Sequence, residues 1–257
     1  MSSDLSIPQP TGALGLGQPR LTQRETLCEL MDGPCHYGDL HACLRDLAAV
    51  NQLTSSHEAA THWLQQFEAQ ARSAGPLHVV DVGCGGGDAL RFIEHWAAAK
   101  NIPLRLTGID CNPQAIRAAR AFTPPASRIE WCMRDVESLP SNEMDAPVDV
   151  VISSLLTHHL SDAAIVSLLK WMESTARLGW FVNDLYRTRV GCWGFAALAL
   201  CARWHRFVRH DGPISFRRAF VPQEWYMLCD AAGVPREALR VDARWPARIY
   251  VSRVVQR

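Results

Sequence analysis

The chain has 257 residues, 48% of them hydrophobic, enough to bury a full core as one large domain or as a domain with a cap. Its 26 Lys and Arg balance 26 Asp and Glu, so the basic excess of a nucleic-acid binder is missing and a small-molecule partner is expected. Nine cysteines, an odd number without a C-x-x-C pair, argue against a zinc site and a secreted disulfide framework, and for reduced thiols in a cytoplasmic, metal-free protein.

Residues 1–20, with their Gly, Pro and Ser, lack the charged-then-apolar pattern of a signal peptide and read as a flexible tail. From residue 21 to 75 the pattern is helical. "DLHACLRDLAAVNQL" repeats apolar residues at spacings of three and four. "SSHEAATHWLQQF" has Ser55 and Glu58 at capping-box spacing, so a helix is expected to begin there. The breaker "SAGP" ends this helical cap, and 76–257 form the core. There, β-like runs alternate with helical ones: strand "LHVVDVG", helix "DALRFIEHWAAAK" with Asp88 at its start, strand "LRLTGID", then "NPQAIRAARAF" with Asn112 as N-cap and Pro113 at its first position. Strands "IEWCMRD" and "VDVVISS" follow, then helix "SDAAIVSLLKWMESTA", strand "GWFVNDL" and a late helix, "VPQEWYMLCDAAG". "LRVDA" and "ARIYVSRVV" close the chain as an antiparallel edge. Strands separated by helices mean β-α-β crossovers and a mainly parallel sheet. Residues 186–220 are too long for an ordinary connection and form a lid insertion over the strands' C-terminal ends. Its apolar run "GCWGFAALALCA" is too short to span a bilayer.

The first strand runs into "DVGCGGGD". Gly83, Gly85, Gly86 and Gly87 let the chain turn tightly and let a ligand approach the backbone. A dinucleotide-binding G-x-G-x-x-G/A would need Gly or Ala at position 88, where Asp88 would repel a pyrophosphate. The pattern present, Asp81-x-Gly83-x-Gly85-x-Gly87, suits a ligand with a cationic amino-acid part, its ammonium held by Asp81 directly or through water. Asp110 ends the second strand, where a carboxylate can accept from two ribose hydroxyls. Asp135 ends the third, placed for the exocyclic amine of an adenine. Ammonium, ribose and adenine together describe S-adenosylmethionine (SAM). Any one of these acids can equally be a turn or cap residue, and Asp88 is expected to be a helix cap.

"VVDVGCGGGDAL", "LTGIDCNPQAI", "MRDVESLP" and "VDVVISSLLTHHL" resemble, in order, the motifs of class I SAM-dependent methyltransferases, over roughly Leu77 to Asp184. The resemblance implies an α/β, Rossmann-like, seven-stranded, mainly parallel sheet with one antiparallel strand. It also implies a cofactor site of Asp81, Gly83, Gly85, Gly87, Asp110 and Asp135, with Cys111, Val136 and Ser153 beside these motif positions.

Methyl transfer from a sulfonium needs a nucleophile held in line with the methyl, and a hydroxyl acceptor must also lose its proton, which a neutral imidazole can take. His158 and His159 in "LTHHL" are the first candidates for that base. Sequence neighbours point different ways, so one of them is expected to serve only the turn. The family resemblance favours His158 as the one facing the pocket. In the lid, His210 and Asp211 form a second candidate pair. The alternative for "RHDGPISFRRAF" is a Pro-Gly turn with Arg217 and Arg218 on a solvated face. "VNDLYR" leaves Asn183 and Asp184 near the rim. They are similar to carboxylate–amide magnesium ligands of catechol methyltransferases, but no acid follows strand four, so no metal is expected. The aromatic lid, with Trp193, Phe195, Trp204 and Phe207, suits a flat, lipophilic acceptor.

"ELMD", "THHL", "VNDLYR" and the lid resemble bacterial methyltransferases of phenolic, polyketide-type and quinone-precursor metabolites, which implies O-methylation of a small aromatic hydroxyl. C-methylation of a similar substrate, an NAD(P)-dependent oxidoreductase and a non-catalytic SAM-binding module are the alternatives. Oligomeric state is left open.

Overall fold

The computed structural model describes residues 21–135 and 146–255. The expected tail (1–20) and Val136 lie outside the described residues. Seven strands form one sheet: β1 Leu77–Val82, β2 Leu104–Asp110, β3 Glu130–Met133, β4 Val150–Ser154, β5 Gly179–Leu185, β6 Leu239–Arg244 and β7 Arg248–Val254. Their order is β3-β2-β1-β4-β5-β7-β6. β1 pairs in parallel with both β2 and β4, and β4 with β5. β7 runs antiparallel to β5 and to β6, so it is the single reversed strand expected of the fold. β1 is buried along its whole length, as a central parallel strand covered on both faces must be.

Strand alternation sends side chains to two cores. On one face Leu77, Val79, Val150, Ile152 and Phe181 pack under α2 (Glu58–Leu64), α3 (Glu68–Ala74), α4 (Asp88–Lys100) and α5 (Pro113–Phe122). On the other, Val80, Val82, Val151, Trp180 and Val182 pack under α6 (Asp162–Thr175) and α9 (Pro222–Ala232). Burying each Val, Ile or Leu of these faces contributes roughly 1.5–3 kcal/mol. α5 starts as its sequence dictates: Asn112 accepts from the Gln114 amide at 2.9 Å, with Pro113 at the first position.

Two local expectations fail. Ser55 and Glu58 form no capping box. Ser55 is left-handed (φ 47°), and α2 starts at Glu58 without a side-chain cap. That segment is instead drawn onto the core, where Asn183 Nδ2 donates to the Ser56 carbonyl at 2.9 Å. Nor does "DGP" make a turn in the lid. Gly212 and Pro213 lie inside α8 (Arg206–Arg218), which follows α7 (Arg189–Cys201). Gly212 is there for packing, because a Cβ would stand 2.0 Å from the Phe195 ring of α7. α1 (Tyr37–Leu53) packs on α5 and α8 and so joins the N-terminal cap to the lid. No helix among the described residues is long and apolar enough to cross a membrane.

Candidate active site

A cavity of about 590 Å³ opens where the strand order reverses between β1 and β4, within the roughly 300–1,000 Å³ of small-molecule sites. Its walls are the glycine loop, the turn after β4, α1, the lid and the β6–β7 connection.

In the loop, Gly83, Gly85 and Gly87 all have positive φ (71°, 51° and 74°), which only glycine adopts freely. A Cβ on Gly87 would also fall 2.2 Å from the Trp131 ring. Gly87→Ala is therefore expected to destabilise the fold by roughly 2–3 kcal/mol or more, measured by denaturant melts. Asp110 shapes this loop: its two oxygens accept from the amides of Gly85 (2.9 Å) and Asn112 (2.8 Å). Each oxygen keeps a second lone pair for a ligand hydroxyl. Asp81 is buried against the loop with Oδ1 unpartnered, and burial, with Asp88 and Asp110 nearby, pushes its carboxyl far above the usual range. A bound cation would reverse that. Asp88 is not the helix cap, a position that Gly87 holds. Its Oδ2 accepts from Asn51 Nδ2 (2.9 Å) and His57 Nε2 (2.8 Å), tying the N-terminal cap to the loop.

His158 is buried and lines the cavity. Its Nδ1 lies 2.6 Å from Asp184 Oδ1, which leaves Nε2 as the nitrogen available to a ligand. Asp184 also accepts from the amides of His158 (3.0 Å) and Leu185 (2.7 Å) and from the Thr157 hydroxyl. Burial would raise this carboxyl, but His158 and the other donors hold it down at about 2.

His159 also lines the cavity, against the expectation that one histidine would serve only the turn. Thr157–His159 is a tight 3-10 turn whose two rings lie 4.2 Å apart, and Asp32 draws His159 Nδ1 to 2.7 Å. Glu29 comes in beside them, with Oε2 3.8 Å from His159 Nε2 and Oε1 accepting from the Ser215 hydroxyl at 2.9 Å. Glu29, His158 and His159 bring potential metal-ligand atoms within 4.8 Å of one another, the one such group among the described residues.

Burial lifts the Glu29 carboxyl to about 7. Between its unfolded value near 4.5 and about 7, the folded state holds a proton that the unfolded state has lost, so this group's contribution to stability falls as pH rises through that window. Glu29→Gln is expected to flatten stability against pH between 4.5 and 7, as measured by urea melts at stepped pH.

The lid candidates have a different task from the one expected. Asp211 accepts from the amides of Leu30 (2.8 Å) and Met31 (3.2 Å) and from His210 Nδ1 (2.7 Å). His210 is about half exposed and absent from the cavity wall. Asp211 thus docks the N-terminal segment on α8 while bordering the cavity, and His210 stands outside it. Arg218 is buried rather than solvated: Nε donates to the His158 carbonyl at 2.9 Å, and Nη1 pairs with Asp32. Arg217 pairs with Glu25 at 2.6 Å.

Besides Gly87, which packs against the Trp131 ring, three expected cofactor residues stand off the cavity wall. Ser153 points into the sheet and donates to the Val82 carbonyl at 2.9 Å; by alternation its neighbour Ser154 faces the cavity. Cys111 is exposed and off the cavity wall. β3 ends at Met133, two residues before Asp135, which is likewise exposed and off the wall. Glu29, Asp32 and Arg248 were not singled out by sequence. Only "ELMD", with its acids three apart, carried a signal.

Residues 79–179 match a family model described as a methyltransferase domain. Non-reducing polyketide synthase pigA of Monascus ruber is 22% identical over 154 residues, covering 54% of this chain and 6% of the synthase. The 2-methyl-6-phytyl-1,4-hydroquinone methyltransferase of Synechocystis sp. is 33% identical over 87 residues, 34% of this chain and 25% of that protein. The chain thus matches only a small part of these relatives' length. The plantazolicin methyltransferase BamL, solved with a triazolic desmethylPZN analog and SAH, superposes with a TM-score of 0.60 at 12% identity, covering 83% of this chain and 90% of that one; at such identity the likeness is one of fold. Family match, sheet order and motif sequence agree over residues 79–179: this segment matches a methyltransferase domain, and its sheet order and motifs resemble those of class I SAM-dependent methyltransferases.

Proposed function

We propose that the protein transfers a methyl group from SAM to the hydroxyl oxygen of a small, lipophilic phenolic or polyketide-type acceptor, with His158 as general base oriented by Asp184. The observation that carries this reading is the His158–Asp184 pair, buried at 2.6 Å, with His158 bordering the same cavity as the glycine loop. The cofactor fits what the residues offer: an unpartnered Asp81 oxygen for an ammonium, glycines without a Cβ, and Asp110 for hydroxyls. SAM supplies an electrophilic methyl. The chain's part is to align the acceptor, remove its proton at His158 Nε2 and hold the resulting imidazolium against Asp184. Mostly apolar lid and cap side chains, Phe195, Phe216, Leu44 and Val208 among them, suit a flat acceptor. The polyketide synthases and the hydroquinone methyltransferase among the relatives support that acceptor class. A carbon acceptor is the second reading, favoured by the same dyad, since a phenolate or enolate formed by the base reacts at either atom.

The test is incubation with labelled SAM and a panel of dihydroxybenzenes, hydroquinones and aromatic polyketides, followed by NMR of the product. An O-methyl product supports the first reading and a C-methyl product the second. Transfer is expected to survive dialysis against EDTA. Loss on chelation, with recovery on adding a divalent ion, would replace the base by a metal at Glu29, His158 and His159.

A further inference from the structure

Four buried polar atoms on the cavity residues lack a hydrogen-bond partner: Asn51 Oδ1, His57 Nδ1, Asp81 Oδ1 and Arg248 Nη1. Two of these residues are ionisable groups of opposite charge. Arg248 is the first residue of β7, opposite Leu185 at the C-terminal end of β5. Its hydrogen bond is to a neutral group, from Nη2 to the Thr54 hydroxyl at 3.2 Å. Arg187 and Arg218, both buried, hold carboxylates, Glu224 at 2.6 Å and Asp32 respectively. A guanidinium with a buried, unused N–H on a cavity wall calls for an acceptor, and its fork matches a carboxylate.

Which carboxylate arrives is indicated by the sheet. Leu77 and Val79 of β1, Phe181 of β5 and Tyr250 of β7 all pack on one face. Alternation puts Asp81, two residues beyond Val79, and Arg248, two before Tyr250, on that same face. Both border the one cavity, beneath α1 and the residues that follow it, where Thr54 holds Arg248. We propose that Arg248 is a carboxylate-binding site, and that with Asp81 it forms the two poles of a seat for an α-amino-acid zwitterion. Arg248 takes the carboxylate and Asp81 the ammonium.

The zwitterion assignment rests on the proposed cofactor, whose amino-acid end has this form. The other source of a carboxylate is an aromatic acid bound as acceptor.

The experiment is calorimetric titration of the full chain and its Arg248→Met and Arg248→Lys variants with S-adenosylhomocysteine and with its analogue lacking the α-carboxylate. A second arm compares 2,4-dihydroxybenzoate with resorcinol. The natural chain should prefer S-adenosylhomocysteine by roughly 10- to 100-fold, the worth of a charged hydrogen bond. Arg248→Met should abolish that preference while binding the analogue unchanged, and Arg248→Lys should keep part of it. The unchanged analogue affinity shows that the variant is folded. Loss of preference only in the benzoate arm would move the site to the acceptor and overturn the zwitterion assignment. Retention of both preferences in Arg248→Met would overturn the carboxylate site altogether. Failure of the natural chain to bind S-adenosylhomocysteine at all would strike the proposed cofactor instead, leaving the benzoate arm to decide Arg248.

Discussion

His158→Ala is expected to slow methyl transfer by roughly 10²–10⁴-fold, the range a positioned general base supplies, with S-adenosylhomocysteine affinity unchanged. The reason is geometric. Asp184 fixes Nδ1 and orients the ring, so Nε2 is the atom left to take a proton. His159→Ala should cost less in rate, because its ring is held by Asp32 of the N-terminal segment rather than by the carboxylate that terminates β5. Steady-state kinetics of both variants on one acceptor separates the roles. A mild loss in both would mean that alignment alone suffices. Where the base is needed, raising the pH so that the acceptor ionises in solution should restore most of the rate of His158→Ala.

Asp184→Ala is expected to cost both stability and activity. It would remove the acceptor for four donors: the His158 ring, the Thr157 hydroxyl and the amides of His158 and Leu185. Breaking a buried, paired charge from one side costs roughly 3–5 kcal/mol, and activity should fall at least as far as in His158→Ala because the ring loses its orientation. The sign with pH follows from the depressed carboxyl. Its contribution is complete above the unfolded value, near 3.8, and is lost as pH falls through about 2. Urea melts should therefore show a gap between the natural chain and Asp184→Ala that is constant at neutral pH and narrows below about 4. A gap that did not narrow would mean that the lost contacts are not those of a charged Asp184.

What was legible in the sequence was set by local physics. The apolar runs of β1 and β4, the Asn112-Pro113 helix start and the glycine loop each specify their own conformation, and together they set the sheet and the glycine-loop wall of the cavity. Ser153 was misplaced by one residue, the error to which a period of two is most sensitive. What was not legible depends on contacts far apart in sequence. Asp211 looked catalytic beside His210, but its partners are Leu30 and Met31, about 180 residues earlier. Glu29 and Asp32 reach His159 only because the N-terminal segment docks on α8. Arg248 is ordinary in "ARIYVS", and only the pairing of β7 with β5 brings it to the cavity.

The central claim, a SAM site coupled to a proton-accepting dyad, is tested most directly by titrating the natural chain with S-adenosylhomocysteine and, separately, with NADH. Saturable one-to-one binding of S-adenosylhomocysteine with no response to NADH is the predicted result. Binding of NADH with no response to S-adenosylhomocysteine would contradict it, and the roles given to Asp81, Asp110 and His158 would fall together.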